Sequence, residues 1–152
     1  MIMTMALFMK RVSETTQIRD LVYEEVFDDR LTELLDEANG KINIYQVNGP
    51  MFFGVVQAFI KKTKELNAST EVVILDMRHT HAVDASAVDA MSKLLVQCEK
   101  LNIKLYLTHL QEQPIRVLKR MGFEKKLENH GIFETKTDAI EHAYKYVREL
   151  SA

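Results

Sequence analysis

Two stretches decide the fold: Val72-Val73-Ile74-Leu75-Asp76-Met77 and, after one short loop, Ala82-Val83-Asp84-Ala85-Ser86-Ala87-Val88. The first is apolar nearly throughout, which is typical of a strand in a parallel sheet that helices cover on both faces. Asp84 can cap the following helix by accepting from N–H groups two or three residues later. Ser86 then lies in the first helical turn, where unpaired N–H groups and the helix dipole favour negative charge. The pattern predicts a strand that ends at Asp76 and a helix that carries a hydroxyl at its anion-friendly end.

The rest of the chain alternates between strand and helix patterns. Thr137 is predicted to cap the last helix, and Met51-Phe52-Phe53 is predicted to be a short strand with aromatic burial on both sides. Strands alternating with helices favour an α/β fold with right-handed crossovers and a mostly parallel central sheet of four to five strands and about four helices. The other predicted strands are 41–47, 71–77, 103–108 and 132–133, and the predicted helices are 54–66, 84–101, 114–121 and 137–150. Gly122 is predicted to end the third of these helices, and the predicted apolar stripes of the last three include Leu101, Met121 and Leu150.

Length and composition limit the function. A chain of 152 residues suits one well-buried domain. With 47% apolar residues, 28% charged residues and a formal charge of −2, it is typical of a soluble globular domain, and the charge disfavours binding to nucleic acid or acidic lipid. The lone Cys98 lies on the apolar side of a predicted helix, which suits a buried thiol in a reducing compartment.

The first forty residues differ from the rest in composition. Residues 1–9 are almost wholly apolar and Lys10-Arg11 follows at once, as in the last turns of a membrane helix that leaves on the cytoplasmic side. The alternative is an N-terminal strand or helix that packs on its own core. Residues 13–39 are polar and acidic, so we expect a connector with little fixed structure, although Leu31, Leu34, Leu35 and Ala38 are spaced for a short helix.

Motifs that carry chemistry are few. No nucleophile elbow, phosphate-binding glycine loop, dinucleotide fingerprint or zinc-protease pair occurs in the sequence, so catalysis is not expected. His79 and His81 lie two apart in a loop, but two ligands make a weak metal site and exposed histidines describe them better. Ser86 has two interpretations: an acceptor for phosphate, or a hydroxyl that only satisfies the helix end.

The strand that ends in Leu75-Asp76 and the helix start Asp84-Ala85-Ser86-Ala87 resemble the signature of STAS domains. This module is shared by SulP-type anion transporters and anti-sigma-factor antagonists. The resemblance implies the STAS fold and a site for phosphorylation, partner binding or anion binding made of Asp76, Asp84, Ser86 and Ala87. In the antagonists a partner kinase phosphorylates the serine. This chain departs from that pattern, because alanines replace the first hydroxyl residue and the glycine.

A second segment separates the two branches of the family. Gly49-Pro50-Met51-Phe52-Phe53-Gly54 resembles a segment of SulP-type STAS domains that the stand-alone antagonists usually lack, with Gly49, Phe52, Phe53 and Gly54 as its signature. Residues 6–14 look like the stretch that joins the last membrane span of SulP transporters to the domain. The resemblance divides the chain into a juxtamembrane end at 1–12, a linker at 13–39 and a STAS domain at 40–152.

The function implied by the resemblance is regulatory. It is that of the STAS domain of a bacterial SulP anion transporter, with sulfate as the default anion, on the cytoplasmic face of the inner membrane. The implied partners are the protein's own transmembrane transporter domain, a second copy of the domain and a cytosolic regulator, with no nucleic acid, metal or cofactor. Two alternatives stay open: a stand-alone antagonist switched by phosphorylation of Ser86, and a small α/β enzyme or nucleotide binder.

Overall fold

The computed structural model describes residues 18–20, 29–64 and 69–151. They form five strands and six helices in an alternating order. The strands are β1 (Ile18–Asp20), β2 (Ile42–Asn48), β3 (Val72–His79), β4 (Lys104–Thr108) and β5 (Gly131–Phe133). The helices are α1 (Asp29–Glu37), α2 (Phe53–Lys64), α3 (Ala85–Lys100), α4 (Glu112–Arg120), α5 (Phe123–Lys126) and α6 (Lys136–Ser151).

The strands form one sheet in the order β1-β2-β3-β4-β5. The pairs from β2 to β5 are parallel, and only β1 runs antiparallel to its neighbour, β2. Parallel neighbours need a crossover between them, and helices supply it here. The predicted α/β fold with a mostly parallel sheet of four to five strands is therefore confirmed. The helices outnumber the four expected, because α1 and the short α5 were not among them.

Helices cover both faces of the sheet, which explains the apolar run in β3. Leu75 and Met77 point to the layer of α2, α3, α4 and α5, and Ile74 points to the layer of α1 and α6. Side chains alternate between faces along a strand, so Asp76 shares the face of Ile74. Cys98 is fully buried in the four-helix layer, and burial, together with the nearby Glu99 charge, raises the pKa of its thiol to about 12.

The segment after β2 differs from the prediction. Met51 makes a single parallel bridge to Val83, and Phe53 already begins α2. The carbonyl of Phe52 accepts hydrogen bonds from the N–H groups of Val55 and Val56, so the chain turns directly into a helix. Phe52 and Phe53 consequently lie half exposed, and the predicted strand with aromatic burial on both sides is wrong.

Helix ends also differ in detail. The hydroxyl of Thr135, not that of Thr137, accepts from the N–H of Asp138 at the start of α6. This cap comes two residues earlier because the helix already begins at Lys136. Three residues that were predicted on apolar stripes are exposed instead, since each lies at or just beyond the end of its helix, where packing stops: Leu101, Met121 and Leu150. Gly122 ends α4 in the left-handed conformation, as predicted.

The region before residue 40 contains more structure than expected. The helix α1 packs against α6, with Leu31 and Ala38 buried in the same apolar cluster as Ile140. β1 adds an antiparallel strand to β2. Packing rather than local propensity fixes these elements, because a nine-residue helix is marginal by itself. The boundaries at residues 12 and 39 stay predictions, and residues 1–12 lie outside the described part.

None of the helices in the described ranges is long and apolar enough to cross a bilayer.

Candidate functional site

The start of α3 is built around Asp84. Its backbone is extended (φ −98°, ψ 169°), and its carboxylate accepts from the N–H of Ala87 at 2.8 Å, so the predicted cap is confirmed. The hydroxyl of Ser86 donates to the same carboxylate oxygen at 2.9 Å. Asp84 and Ser86 are exposed, whereas Ala87 is fully buried against the four-helix layer. A partner can therefore reach the hydroxyl and the carboxylate but not the methyl group of Ala87.

The loop before Asp84 is fixed by neighbours far away in the chain. The side-chain amide of Gln113 accepts from the N–H of Val83 at 2.9 Å and donates to its carbonyl at 3.2 Å. On the other side, the N–H of Met51 donates to the carbonyl of Ala82 at 2.8 Å. These bonds hold the helix start between the β2–α2 turn and the beginning of α4. The shape of this surface is therefore fixed by hydrogen bonds within the protein.

The segment from Gly49 to Gly54 adjoins this surface. Gly49 has a φ of +95°, which a side chain would disfavour, and its N–H donates to the carbonyl of His79 at 3.2 Å. Phe52 and Phe53 follow at 50% and 48% exposure, and Gly54 is exposed beside them. The predicted signature residues thus form an apolar, solvent-facing corner next to the Asp84 helix start.

Asp76 does not join the other predicted site residues. It is fully buried on the opposite face of the sheet, where one carboxylate oxygen accepts from the N–H of Arg78 at 3.0 Å. The other oxygen lies 3.9 Å from the ammonium group of Lys136 at the start of α6. The structure therefore brings Asp84, Ser86 and Ala87 together and places Asp76 in a separate, buried ion pair.

We call the group around this ion pair the Asp76 cluster; its members are Asp76, Arg78, Thr108, His109 and Lys136. Thr108 lies opposite Asp76 in the register of β3 and β4, and its buried hydroxyl has no hydrogen-bond partner among the described residues. The imidazole Nε2 of His109 lies 2.9 Å from a guanidinium nitrogen of Arg78 and accepts from the N–H of Lys136 at 3.3 Å. The cluster fastens the start of α6 to the ends of β3 and β4.

The environment of His109 favours the neutral form of its ring. Partial burial is the main cause that lowers its pKa, and the positive charges of Arg78 and Lys136 lower it further, against the opposing effect of Asp76. A neutral Nε2 can accept from both donors, whereas a protonated one could accept from neither. Sequence patterns missed this cluster because its members lie up to 60 residues apart. The available signal was a polar residue, Thr108, directly after the apolar run Leu105-Tyr106-Leu107.

Other candidate groups stay separate. His79 and His81 are both exposed. In the ranges that the structure describes, no three His, Cys, Asp or Glu side chains are arranged to hold a metal ion.

The family model described as the STAS domain matches residues 33–139. Two curated relatives align with most of this chain. One is a Bacillus subtilis protein provisionally named as a sulfate transporter, YvdB, which is 24% identical over 135 residues, or 88% of this chain and 24% of the relative. The other is the bicarbonate transporter BicA of Synechocystis, 23% identical over 72% of this chain and 19% of its own length. The chain spans about a quarter or less of the length of these relatives.

Solved structures share the fold. A sulfate transporter family protein from Wolinella succinogenes is 30% identical with a TM-score of 0.62, and the match covers 72% of this chain and 88% of that one. The SulP transporter STAS domain of Vibrio cholerae reaches a TM-score of 0.67 at 14% identity, over 80% of this chain and 99% of that one. An anti-sigma-factor antagonist from Thermotoga maritima reaches a TM-score of 0.56 at 15% identity, and the match covers 67% of this chain and 86% of that one. The last two likenesses concern the fold alone.

Proposed function

The chain belongs to the STAS domain family, and we propose that it is the regulatory STAS domain of a SulP-type anion transporter. In this role it binds and regulates and does not catalyse. It lies on the cytoplasmic face of the bacterial inner membrane, with residues 1–12 as the end of the last membrane helix and 13–39 as the linker. Its first partner is the membrane-spanning part of the same protein.

One observation carries this proposal. The similarity to the Bacillus relative extends over 135 residues, which exceeds the 33–139 span of the family model. Similarity to a transporter therefore continues beyond the residues that the family model covers. The 30% identity to a sulfate transporter family protein supports the same branch, as does the Phe52-Phe53 segment.

The transported species is an inorganic anion, and we propose sulfate. The relatives' names point to sulfate in one case and to bicarbonate in the other, and both ions are small and oxygen-rich. Transport itself belongs to membrane helices and not to the residues described here. The domain contributes by surface recognition at the Asp84 helix start, where the shape is preformed and the polar groups are exposed.

The test uses the gene and the full-length protein. The reading frame upstream of Met1 is expected to encode about ten to fourteen apolar spans of about 20 residues each. In cells that express the full-length protein, Asp84→Lys is expected to lower sulfate uptake at unchanged membrane abundance, whereas Asp138→Lys on the opposite layer is expected to leave uptake unchanged. A stop codon shortly upstream of Met1, or equal uptake in both variants, would contradict the proposal.

A second candidate function is that of a stand-alone anti-sigma-factor antagonist. It is favoured by the exposed hydroxyl of Ser86 in the first turn of α3. Phosphate there would meet helix-end N–H groups, but it would also set about two negative charges beside the Asp84 carboxylate. Incubation with an anti-sigma kinase and ATP distinguishes the candidates, because only an antagonist gains phosphate that Ser86→Ala abolishes.

A further inference from the structure

Two neighbouring aromatic side chains at the start of α2 are left in solvent. Phe52 is 50% exposed and Phe53 is 48% exposed, while Phe59 and Phe123 are buried. Gly49 turns the chain before them with a φ of +95°, and the carbonyl of Phe52 accepts from the N–H groups of Val55 and Val56 at the start of the helix. Single exposed apolar residues are common on protein surfaces, but two adjacent phenylalanines make a patch that indicates contact with another apolar phase.

The solvent face of α2 continues from these rings into positive charge. At about 100° per residue, Phe53, Gln57, Lys61 and Lys64 follow one side of the helix. Phe53 and both lysines are exposed, and the helix contains three lysines and no acidic residue. The face is therefore apolar at one end and cationic at the other, with no carboxylate of its own to neutralise it.

Charge is distributed unequally between the two layers of helices. The layer of α2, α3, α4 and α5 carries ten Lys and Arg residues against four Asp and Glu residues. The layer of α1 and α6 carries four Lys and Arg residues against seven Asp and Glu residues. The helices of the first layer therefore carry a net charge of +6 and those of the second −3, although the formal charge of the whole chain is −2. The phenylalanine corner lies on the basic side.

We propose that the basic side of the domain, which carries Phe52 and Phe53, binds to the surface of an anionic lipid bilayer. Phe52 and Phe53 enter the boundary between headgroups and acyl chains, and Lys61 and Lys64 contact acidic headgroups. Apolar insertion combined with Lys-rich attraction is the usual physical basis of reversible binding at a membrane surface. The surface lies within this chain, so the inference goes beyond the proposed function and does not require a transporter to be attached.

Electrostatics favours lipid over the other partners. The cytoplasmic loops of membrane proteins carry an excess of Lys and Arg, which would repel the basic layer, whereas cytoplasmic leaflet lipids attract it. A second copy meeting the same face across a two-fold axis would set like charge against like charge. Single-stranded RNA is also an acidic partner for aromatic and basic side chains, and the experiment distinguishes it from lipid.

The experiment measures sedimentation of the 152-residue chain with vesicles at low salt. Vesicles of phosphatidylcholine with phosphatidylglycerol are expected to bind it more strongly than vesicles of phosphatidylcholine alone, to which only the apolar residues 1–9 and the two phenylalanines contribute. The double variant Phe52→Ser/Phe53→Ser is expected to bind the anionic vesicles about tenfold more weakly or worse. Leu150→Ser removes a 55% exposed apolar residue from the acidic layer and is the matched control, with no expected change.

Gly54 offers a pair of charge variants that keep the fold. A side chain added there meets nothing within 4 Å, and the backbone is helical. Gly54→Glu is expected to weaken binding to anionic vesicles about fivefold, and Gly54→Lys is expected to strengthen it about fivefold, since each changes the local charge by one. Lys64→Glu is expected to weaken binding more than Lys145→Glu, which changes an exposed lysine on α6. Circular dichroism checks that every variant is folded.

Three outcomes would overturn the inference. The first is the absence of binding to anionic vesicles at low salt. The second is equal binding to neutral and anionic vesicles that Gly54→Glu leaves unchanged. The third is tighter binding to single-stranded poly(U) than to vesicles, with loss of that binding in Phe52→Ser/Phe53→Ser, which would identify RNA as the partner.

Discussion

The start of α3 and the Asp76 cluster lie at the same end of the sheet but on opposite faces. At the α3 start, Asp84 and Ser86 are exposed and linked to each other by a 2.9 Å hydrogen bond. In the Asp76 cluster, the carboxylate of Asp76 is fully buried and its neighbour Lys136 is only 8% exposed. Water can replace the lost partners in the first region but not in the second. The same kind of substitution is therefore expected to change the free energy of unfolding by different amounts in the two regions.

The largest difference is expected for removal of a carboxylate. Asp76→Ala breaks the buried ion pair between Asp76 and Lys136, and breaking such a pair costs about 3–5 kcal/mol of the free energy of unfolding. Urea unfolding followed by circular dichroism measures it. Asp138→Ala is the control, because it removes an exposed carboxylate from the same helical turn of α6.

A double variant separates the buried charge from the packing. Asp76→Leu/Lys136→Met replaces both charges by apolar side chains, so it is expected to recover most of the stability that Asp76→Ala loses. A loss of less than about 1 kcal/mol in Asp76→Ala would mean that water reaches the pair, and the contrast between the two regions would then disappear.

A pH titration sharpens the comparison, because histidine belongs to only one of the two regions. Burial and cationic neighbours lower the pKa of His109, and burial and Lys104 lower that of His130. The unfolded chain then binds protons more readily than the folded one, so the free energy of unfolding falls as pH drops through about 6.5. The expected change between pH 7 and 5.5 is smaller than the loss in Asp76→Ala.

Urea midpoints at several pH values measure this dependence. His109→Gln keeps a side-chain acceptor but removes the titrating group, so its pH dependence is expected to be shallower than that of the parent chain. His79→Gln changes an exposed histidine at the end of β3 and is the control. An equal slope in all three proteins would assign the pH dependence to groups outside the Asp76 cluster.

The same comparison explains which parts of the molecule the sequence could predict. The cap at Asp84 and the end of α4 at Gly122 depend on residues within a few positions of each other, and both predictions are confirmed. The resemblance to the STAS signature groups Asp76 with Asp84, and the two residues are close in sequence. The face of the sheet on which Asp76 lies depends on strand alternation and on Lys136, 60 residues further along, so local patterns could not place it.

The prediction for Phe52 and Phe53 failed for a different reason. Aromatic residues are normally buried, and this preference predicted a strand with both rings inside. The position of Met51 is set by its hydrogen bond to Ala82, and the chain has turned into α2 by Phe53. A tertiary contact thus overrode the composition of the segment. The whole-chain charge has a similar limit, because it cannot report how charge is divided between two layers.

At the α3 start, loss of the cap is expected to have a moderate effect. Asp84→Ala removes the acceptor for the N–H of Ala87 and is expected to lower the free energy of unfolding by about 1 kcal/mol. Asp84→Asn keeps an acceptor and is expected to lose less. Urea unfolding checks both. A cost in Asp84→Ala as large as that of Asp76→Ala would show that the exposed region is as critical to folding as the buried one.

The smallest effect is expected for Ser86→Ala. The hydroxyl of Ser86 is exposed, and water can take its place as a donor to the Asp84 carboxylate, so the expected change is within about 0.5 kcal/mol. The same urea experiment measures it, with Asp84→Ala/Ser86→Ala to test whether the two residues act independently. If Ser86→Ala leaves the free energy of unfolding nearly unchanged but clearly weakens partner binding, the hydroxyl of Ser86 takes part in partner recognition. A loss of stability above about 1 kcal/mol would instead make Ser86 part of the cap itself, because its orientation of the Asp84 carboxylate would then be needed to hold the first turn of α3.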